Sequence, residues 1–275
     1  MYSKPKFFLD TSVCIDLAHS ADASGNEWSC TWAIWRKRFR YCISPLTVYE
    51  LVAGLADSDE AHFDESREAI RLLYPTGRKS FLDQLSVFVP NTLFGEKRKA
   101  APSVDTNFHL WIRAILRSPN KRTLQSGRMR IGPRPRNGFG LDLGSIRKSI
   151  RDVQAGYARL FRSFQKSNVP DLTPRIWAEM ILRQFGRPLS DSNVKLVLER
   201  LDAAYRFDSH LWGLIRNSAY DFSKHRGEMV DAQQLYYLCD STIYFVTNDK
   251  RLKVAISKSS QSSRVLTYQD LLSKG

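Results

Sequence analysis

Cysteine is scarce and unpatterned in this chain. Only Cys14, Cys30, Cys42 and Cys239 occur, with no C-x-x-C pair and no zinc-ligand spacing, so neither a disulfide scaffold nor a structural zinc site is predicted. Three of them stand in apolar contexts where cysteine serves as a small hydrophobe, and free thiols in a reducing compartment are expected. Long apolar runs are also missing. Nothing approaches the roughly 20 residues that a membrane span needs, and the first apolar stretch is broken by Asp10 and Asp16, which argues against a signal peptide. These absences predict a soluble, cytoplasmic protein with no membrane partner. No Ser-His-Asp order, H-E-x-x-H, G-x-G-x-x-G or P-loop pattern occurs, so those chemistries have no support, and there is no internal repeat.

What the chain does have is a set of four acids placed where an α/β fold brings them to one end of a parallel sheet. Lys6-Phe7-Phe8-Leu9 leads into Asp10, and Ile243-Tyr244-Phe245-Val246-Thr247 leads into Asn248-Asp249. Each apolar run reads as a short buried strand with its carboxylate just beyond the C-terminal edge, and that edge is where open α/β sheets bind ligands. Two further acids fall on predicted helices. Ser44 and Pro45 form a cap and first-turn proline after the strand Tyr41-Cys42-Ile43, and the helix continues from Leu46 to Leu55 carrying Glu50. Helical phase puts Glu50 on a face with Leu46, Thr47, Ala53 and Gly54, small enough in part to pack closely on a sheet. Asp231 heads a run in which Leu235 and Leu238 share its face, so it too points inward. Carboxylates crowded at one edge repel one another and resist ionisation unless a hard divalent cation takes their oxygens. A metal site at Asp10, Glu50, Asp231 and Asp249 is therefore predicted, with Mg²⁺ or Mn²⁺ as the ion.

These pieces resemble the PIN-domain nucleases, a family that includes the VapC-type toxins and several RNA-processing endonucleases. The resemblance rests on Phe8-Leu9-Asp10-Thr11-Ser12-Val13, on Ser44 through Leu51, on Asp231-Ala232 heading a helix, and on Phe245 through Leu252, in that order. Val265-Leu266-Thr267-Tyr268 and the following Gln269-Asp270-Leu271-Leu272 look like the last strand and terminal helix of the same fold. The resemblance implies a three-layer α/β/α core with a central parallel sheet, formed by 1–90 and 225–275. It also implies a metal-dependent endonuclease that leaves 3′-hydroxyl and 5′-phosphate ends, with the four acids as catalytic metal ligands. Thr11, Ser12 and Thr247 would orient carboxylates or a water. A toxin-like ribonuclease would bring an antitoxin-like protein partner.

The spacing between Glu50 and Asp231 is too long for a compact member of that family. Over 91–230 the chain carries 26 Lys and Arg against 12 Asp and Glu, and the remainder carries 16 of each, so all of the net charge of +14 lies in this middle region. Residues 91–224 are predicted to be a basic helical insertion of three to five helices. Within it, 118–140 is rich in Gly, Pro and Arg and reads as a loop or arm, whose Arg128, Arg130, Arg134 and Arg136 are candidate nucleic-acid contacts. Phe108, Trp111 and Phe139 could stack on unpaired bases. Elsewhere the periodicity predicts helices over about Glu27 to Phe39, through Ile70 to Leu73, through Phe81 to Phe88, about Ile146 to Phe164, after Thr173-Pro174, about Asp191 to Arg206 and about Ser209 to Asn217. Asp16 and His225 read as surface groups, and Asp240 as the end of the Asp231 helix, outside the ligand set.

The reading at this level is a nuclease acting on RNA. A PIN-like module that binds RNA or protein without turnover, and a structure-directed DNA nuclease, are the alternatives. Oligomeric state is not legible.

Overall fold

The computed structural model describes residues 4–21, 35, 37–57, 60–73, 80–99, 102–125, 172–216, 220 and 227–274, with single positions at 148, 152, 155 and 159. Five short strands, Lys6–Leu9 (β1), Arg40–Ile43 (β2), Ser80–Phe81 (β3), Ile243–Val246 (β4) and Val265–Leu266 (β5), form one parallel sheet in the order β3-β2-β1-β4-β5. The chain is an α/β protein. Side chains alternate across each strand, and both faces are apolar, as a parallel sheet covered on two sides requires. Phe8, Cys42, Ile243, Phe245 and Val265 belong to one buried cluster, while Phe7, Leu9, Ile43, Val246 and Leu266 belong to another. Phe8 stacks on Phe245 with ring centroids 4.8 Å apart, tying β1 to β4 in the first of these.

Helices supply the two outer layers. The second cluster is completed by Thr11–Ala21 (α1), Pro45–Asp57 (α2), Glu60–Leu73 (α3), Pro102–Arg117 (α5), Lys121–Gln125 (α6) and Tyr268–Lys274 (α12). The first is completed by Leu85–Phe94 (α4), Pro174–Gln184 (α7), Asp191–Arg200 (α8), Asp202–Ile215 (α9), Glu228–Leu235 (α10), the 3₁₀ turn Tyr236–Cys239, and Lys250–Ala255 (α11). Helices α7 to α9 come from the basic middle region, yet Trp177, Leu182, Val197 and Phe207 bury their side chains in the same cluster as Phe8 and Phe245.

Local chemistry explains several boundaries. Ser44 accepts a hydrogen bond from the Leu46 amide at the start of α2, and Thr173 accepts one from Ile176 at the start of α7, the caps read from sequence. Gly186, with φ of 67°, follows the end of α7, a left-handed position that suits glycine. Other boundaries differ from expectation. Phe81 pairs with Ile43 in β3 instead of opening a helix, and α4 begins only at Leu85. The single helix expected from Asp191 to Arg206 is two, because Leu201 leaves helical geometry at φ −123° and ψ 26° while remaining fully buried; α9 then occupies Asp202–Ile215 rather than starting near Ser209. Lys121–Gln125 is helical within the stretch expected as a loop. Most of the helices expected over Glu27 to Phe39 and Ile146 to Phe164 lie outside the described residues, as do Arg128, Arg130, Arg134, Arg136, Phe139 and His225. No helix among the described residues is long and apolar enough to cross a membrane.

Candidate functional site

Strand order places one crevice in this sheet. The chain builds outward from β1 through β2 to β3, then crosses back to lay β4 against the other side of β1. The connections leave β1 and β4 in opposite directions, and the gap between them at the carboxyl edge is the usual ligand site of such sheets. Leu9 pairs with Val246, so the next residues, Asp10 and Thr247, emerge side by side at that gap.

Asp10 is 4 % exposed. One carboxylate oxygen accepts from the Thr11 amide at 2.7 Å and from Gln234 Nε2 at 3.2 Å; the other accepts from Ser12 Oγ at 2.7 Å and from Thr247 Oγ1 at 2.9 Å. Burial pushes the Asp10 carboxyl above its ordinary range, and these four donors pull it partly back. Glu50 reaches the same place from α2. Its Oε2 accepts from Thr11 Oγ1 at 2.6 Å and lies 3.5 Å from Gln234 Nε2. Thr47, one turn earlier, donates to the Leu9 carbonyl at 2.9 Å and fixes α2 on the end of β1. Of the small residues expected on that face, Gly54 is instead exposed. Burial first, and the Asp10 charge second, raise the Glu50 carboxyl to about 8. The buried Cys14 thiol on α1 is pushed up by burial first and then by the charges of Asp10 and Glu50.

Asp231 lies one turn inside α10, which begins at Glu228 rather than at Asp231. Burial and then the charges of Asp10, Glu50, Asp249 and Glu228 raise its carboxyl to about 9. Hydrogen bonds from Thr11 and Gln234 join Asp10 to Glu50, and among the described residues Asp231 is coupled to them and to Asp249 by charge alone. Asp249 is engaged at a helix end. Its Oδ1 caps α11 by accepting from the Arg251 and Leu252 amides at 2.7 and 3.1 Å, and its own amide donates to Thr247 Oγ1 at 3.1 Å. Among the described residues, no three Asp, Glu, His or Cys side chains meet closely enough in this conformation to hold one ion. Thr11, Ser12 and Thr247 all donate to the acids, as their positions suggested.

Two residues of the site carry no signal in the sequence by themselves. Gln234 is fully buried, and its Nε2 reaches both Asp10 and Glu50 while its Oε1 has no hydrogen-bond partner among the described residues. Glu228, 7 % exposed, accepts from the Tyr220 hydroxyl and pairs with Arg251 at 3.4 Å. Both flank Asp231 at three-residue spacing in Glu228-Met229-Val230-Asp231-Ala232-Gln233-Gln234, so they stand on its side of α10. Only that periodicity, counted from Asp231, could have found them. Asp240 lies outside the group, held to Lys6 at 3.0 Å, and Asp16 accepts from Asn248 at 2.7 Å.

A cavity of about 450 Å³ opens on another side of α10, against Met229, Ala232 and Gln233. Its walls include Trp177, Trp212 and Asp208, whose carboxyl burial raises to about 6 against hydrogen bonds from Trp177 and Tyr236. It is separate from the acids. Compared with known proteins, the chain matches no family model, no curated protein and no solved structure.

Proposed function

We propose that this chain is a metal-dependent endonuclease of PIN type that hydrolyses phosphodiester bonds in RNA, with Asp10, Glu50, Asp231 and Asp249 as the ligands of Mg²⁺ or Mn²⁺. The observation that carries the reading is the meeting of Asp10 and Glu50, from distant stretches of the chain, on shared donors at the crevice between β1 and β4. Carboxyls raised by burial and mutual repulsion are what an acid cluster looks like without its counterion. The donor set is all oxygen, which suits a hard divalent cation, and the buried Gln234 Oε1, which has no partner among the described residues, adds another oxygen. The oxygen chemistry of these residues suits such an ion, and the side chains must draw together to hold it, since among the described residues no three acids stand close enough in this conformation. When bound, it supplies charge neutralisation at a phosphate and lowers the pKa of a water.

The chain's own groups divide the remaining work. Asp10 is the central ligand of this reading: four donors fix its carboxylate, and one of them must give way to free an oxygen lone pair for the ion. Thr247 and Ser12 hold one of its oxygens, and Thr11 couples it to Glu50. Arg251 lies at the rim, 65 % exposed and within 4.0 Å of Asp249, where a guanidinium can meet a phosphate oxygen. The surplus cations of the middle region, including Arg128, Arg130, Arg134 and Arg136, would neutralise the backbone of the strand.

The test is cleavage of a labelled RNA in Mn²⁺ or Mg²⁺, with and without EDTA, and in competition with a matched DNA. Asp10→Asn and Asp249→Asn each remove a ligand charge while keeping shape, and Asn still caps a helix. Loss of cleavage by roughly 100-fold or more is expected, with the circular dichroism spectrum unchanged. Full activity in either variant, or in EDTA, would refute the assignment.

A further inference from the structure

Gln234 is an odd side chain to find fully buried between acids. Its single amide nitrogen serves both Asp10, at 3.2 Å, and Glu50, at 3.5 Å, and its oxygen is left without a partner among the described residues. A leucine would fill the space without an unpaired oxygen, and a buried polar atom with no bond is costly. The last torsion of glutamine is broad and nearly two-fold, so a half-turn exchanges Nε2 and Oε1 with little movement of anything else. With the nitrogen inward, the amide lends positive character to two carboxylates that otherwise repel. With the oxygen inward it would add to that repulsion, unless a cation lay between. Its place on α10 is also apt. Asp231 lies one turn earlier on the same helix, and the half-turn brings the oxygen to where the nitrogen now meets Asp10 and Glu50.

We propose that Gln234 is a reversible stand-in for the cation. In the metal-free protein its Nε2 bridges Asp10 and Glu50; when the ion enters, the amide turns and Oε1 becomes a further oxygen ligand. The inference rests on the metal-centre reading above and adds a residue that the four-acid set does not contain. It also gives the site a way to stay assembled in the absence of metal, because the amide holds Asp10 and Glu50 near their working positions.

The experiment is Mn²⁺ titration of the full chain, read as the Kd from the electron paramagnetic resonance signal of free Mn²⁺, beside the Tm of each protein with and without Mn²⁺. Asp10→Asn is the control for the centre itself. Gln234→Met keeps the length but removes both donor and oxygen, and should weaken Mn²⁺ binding about tenfold or more. Gln234→Glu keeps an oxygen and adds charge; it should bind Mn²⁺ about tenfold more tightly than wild type, while its metal-free Tm falls and Mn²⁺ restores it. Opposite signs in the two affinities are the signature, since a glutamine that only fills space would lower both Tm values without splitting the Kd. Wild-type affinity in Gln234→Met overturns the proposal, and so does a Gln234→Glu protein that binds no more tightly than wild type. If wild type itself takes up no Mn²⁺ in an Asp10-dependent way, the metal centre falls first and this role falls with it.

Discussion

Asp10 owes its position to strand register and its charge state to a contest. Four donors favour the carboxylate, burial opposes it, and burial is the larger effect. The same contest sets a pH dependence for the metal-free protein. Glu50 is raised to about 8 and Asp231 to about 9, well above their ordinary values of 4.5 and 3.8. The native state therefore keeps protons that the unfolded chain has already released, so stability is greatest below the unfolded values and is lost as pH rises through the folded ones. Thermal melts of the metal-free protein should show Tm falling from about pH 5 to about pH 9, with a shallower fall in Glu50→Gln. Mn²⁺ should raise Tm more at the alkaline end of that range. A Tm that climbs with pH in the absence of metal would contradict the raised carboxyls. Asp10 and Asp249 are legible in sequence because each follows an apolar run, and Glu50 because its helix is announced by Ser44-Pro45. Gln234 and Glu228 are not, since an uncharged amide or an extra acid on a helix has no signature until Asp231 is known to face the sheet.

Elements are legible where a local device marks them and illegible where tertiary packing decides. The caps at Ser44 and Thr173 and the glycine after α7 are local, and these helix ends lie near the places read from sequence. The break at Leu201 is not local. It is stabilised by Gln261, far along the chain, whose Oε1 accepts from the Ala203 amide at 2.9 Å and whose Nε2 donates to the Arg200 and Leu238 carbonyls at 2.6 and 3.0 Å. One buried amide thus joins α8, α9 and the 3₁₀ turn that precedes β4. Gln261→Met takes this partner from the Ala203 amide and the Arg200 carbonyl, while the Leu238 carbonyl keeps Arg264, and urea denaturation should show a loss on the order of 2 kcal/mol. A change below about 0.5 kcal/mol would mean that the break is held by apolar packing alone. Two-residue β3 escapes sequence reading for a similar reason, because so short a strand is defined by its pairing with Ile43 and not by its own pattern.

Across the whole molecule, charge and packing divide the chain differently. By charge, 91–230 is a basic segment set into a neutral remainder. By packing, α7 to α9 from that segment complete the layer that covers Phe8, Phe245 and the 3₁₀ turn. The helices that carry these basic residues are thereby packed on the same sheet that carries the acids, and under the proposed nuclease reading they would hold phosphate-binding groups in a fixed relation to the metal. Replacing Arg128, Arg130, Arg134 and Arg136 together with Ala tests their contribution. If they bind a single strand, the slope of log affinity against log salt should shrink by about 0.7 for each phosphate that is no longer neutralised. An unchanged slope would assign phosphate binding to the helices instead.

The central claim is that four acids, gathered by β1, α2, α10 and the end of β4, share a cation. The most direct measurement is a crystal of the protein soaked in Mn²⁺ and recorded at the manganese absorption edge. An anomalous peak about 2.1 Å from an Asp10 oxygen, with oxygens of at least two of Glu50, Asp231 and Asp249 also ligating it, is the predicted result. No peak at the β1–β4 crevice, with Mn²⁺ bound elsewhere or not at all, would contradict it.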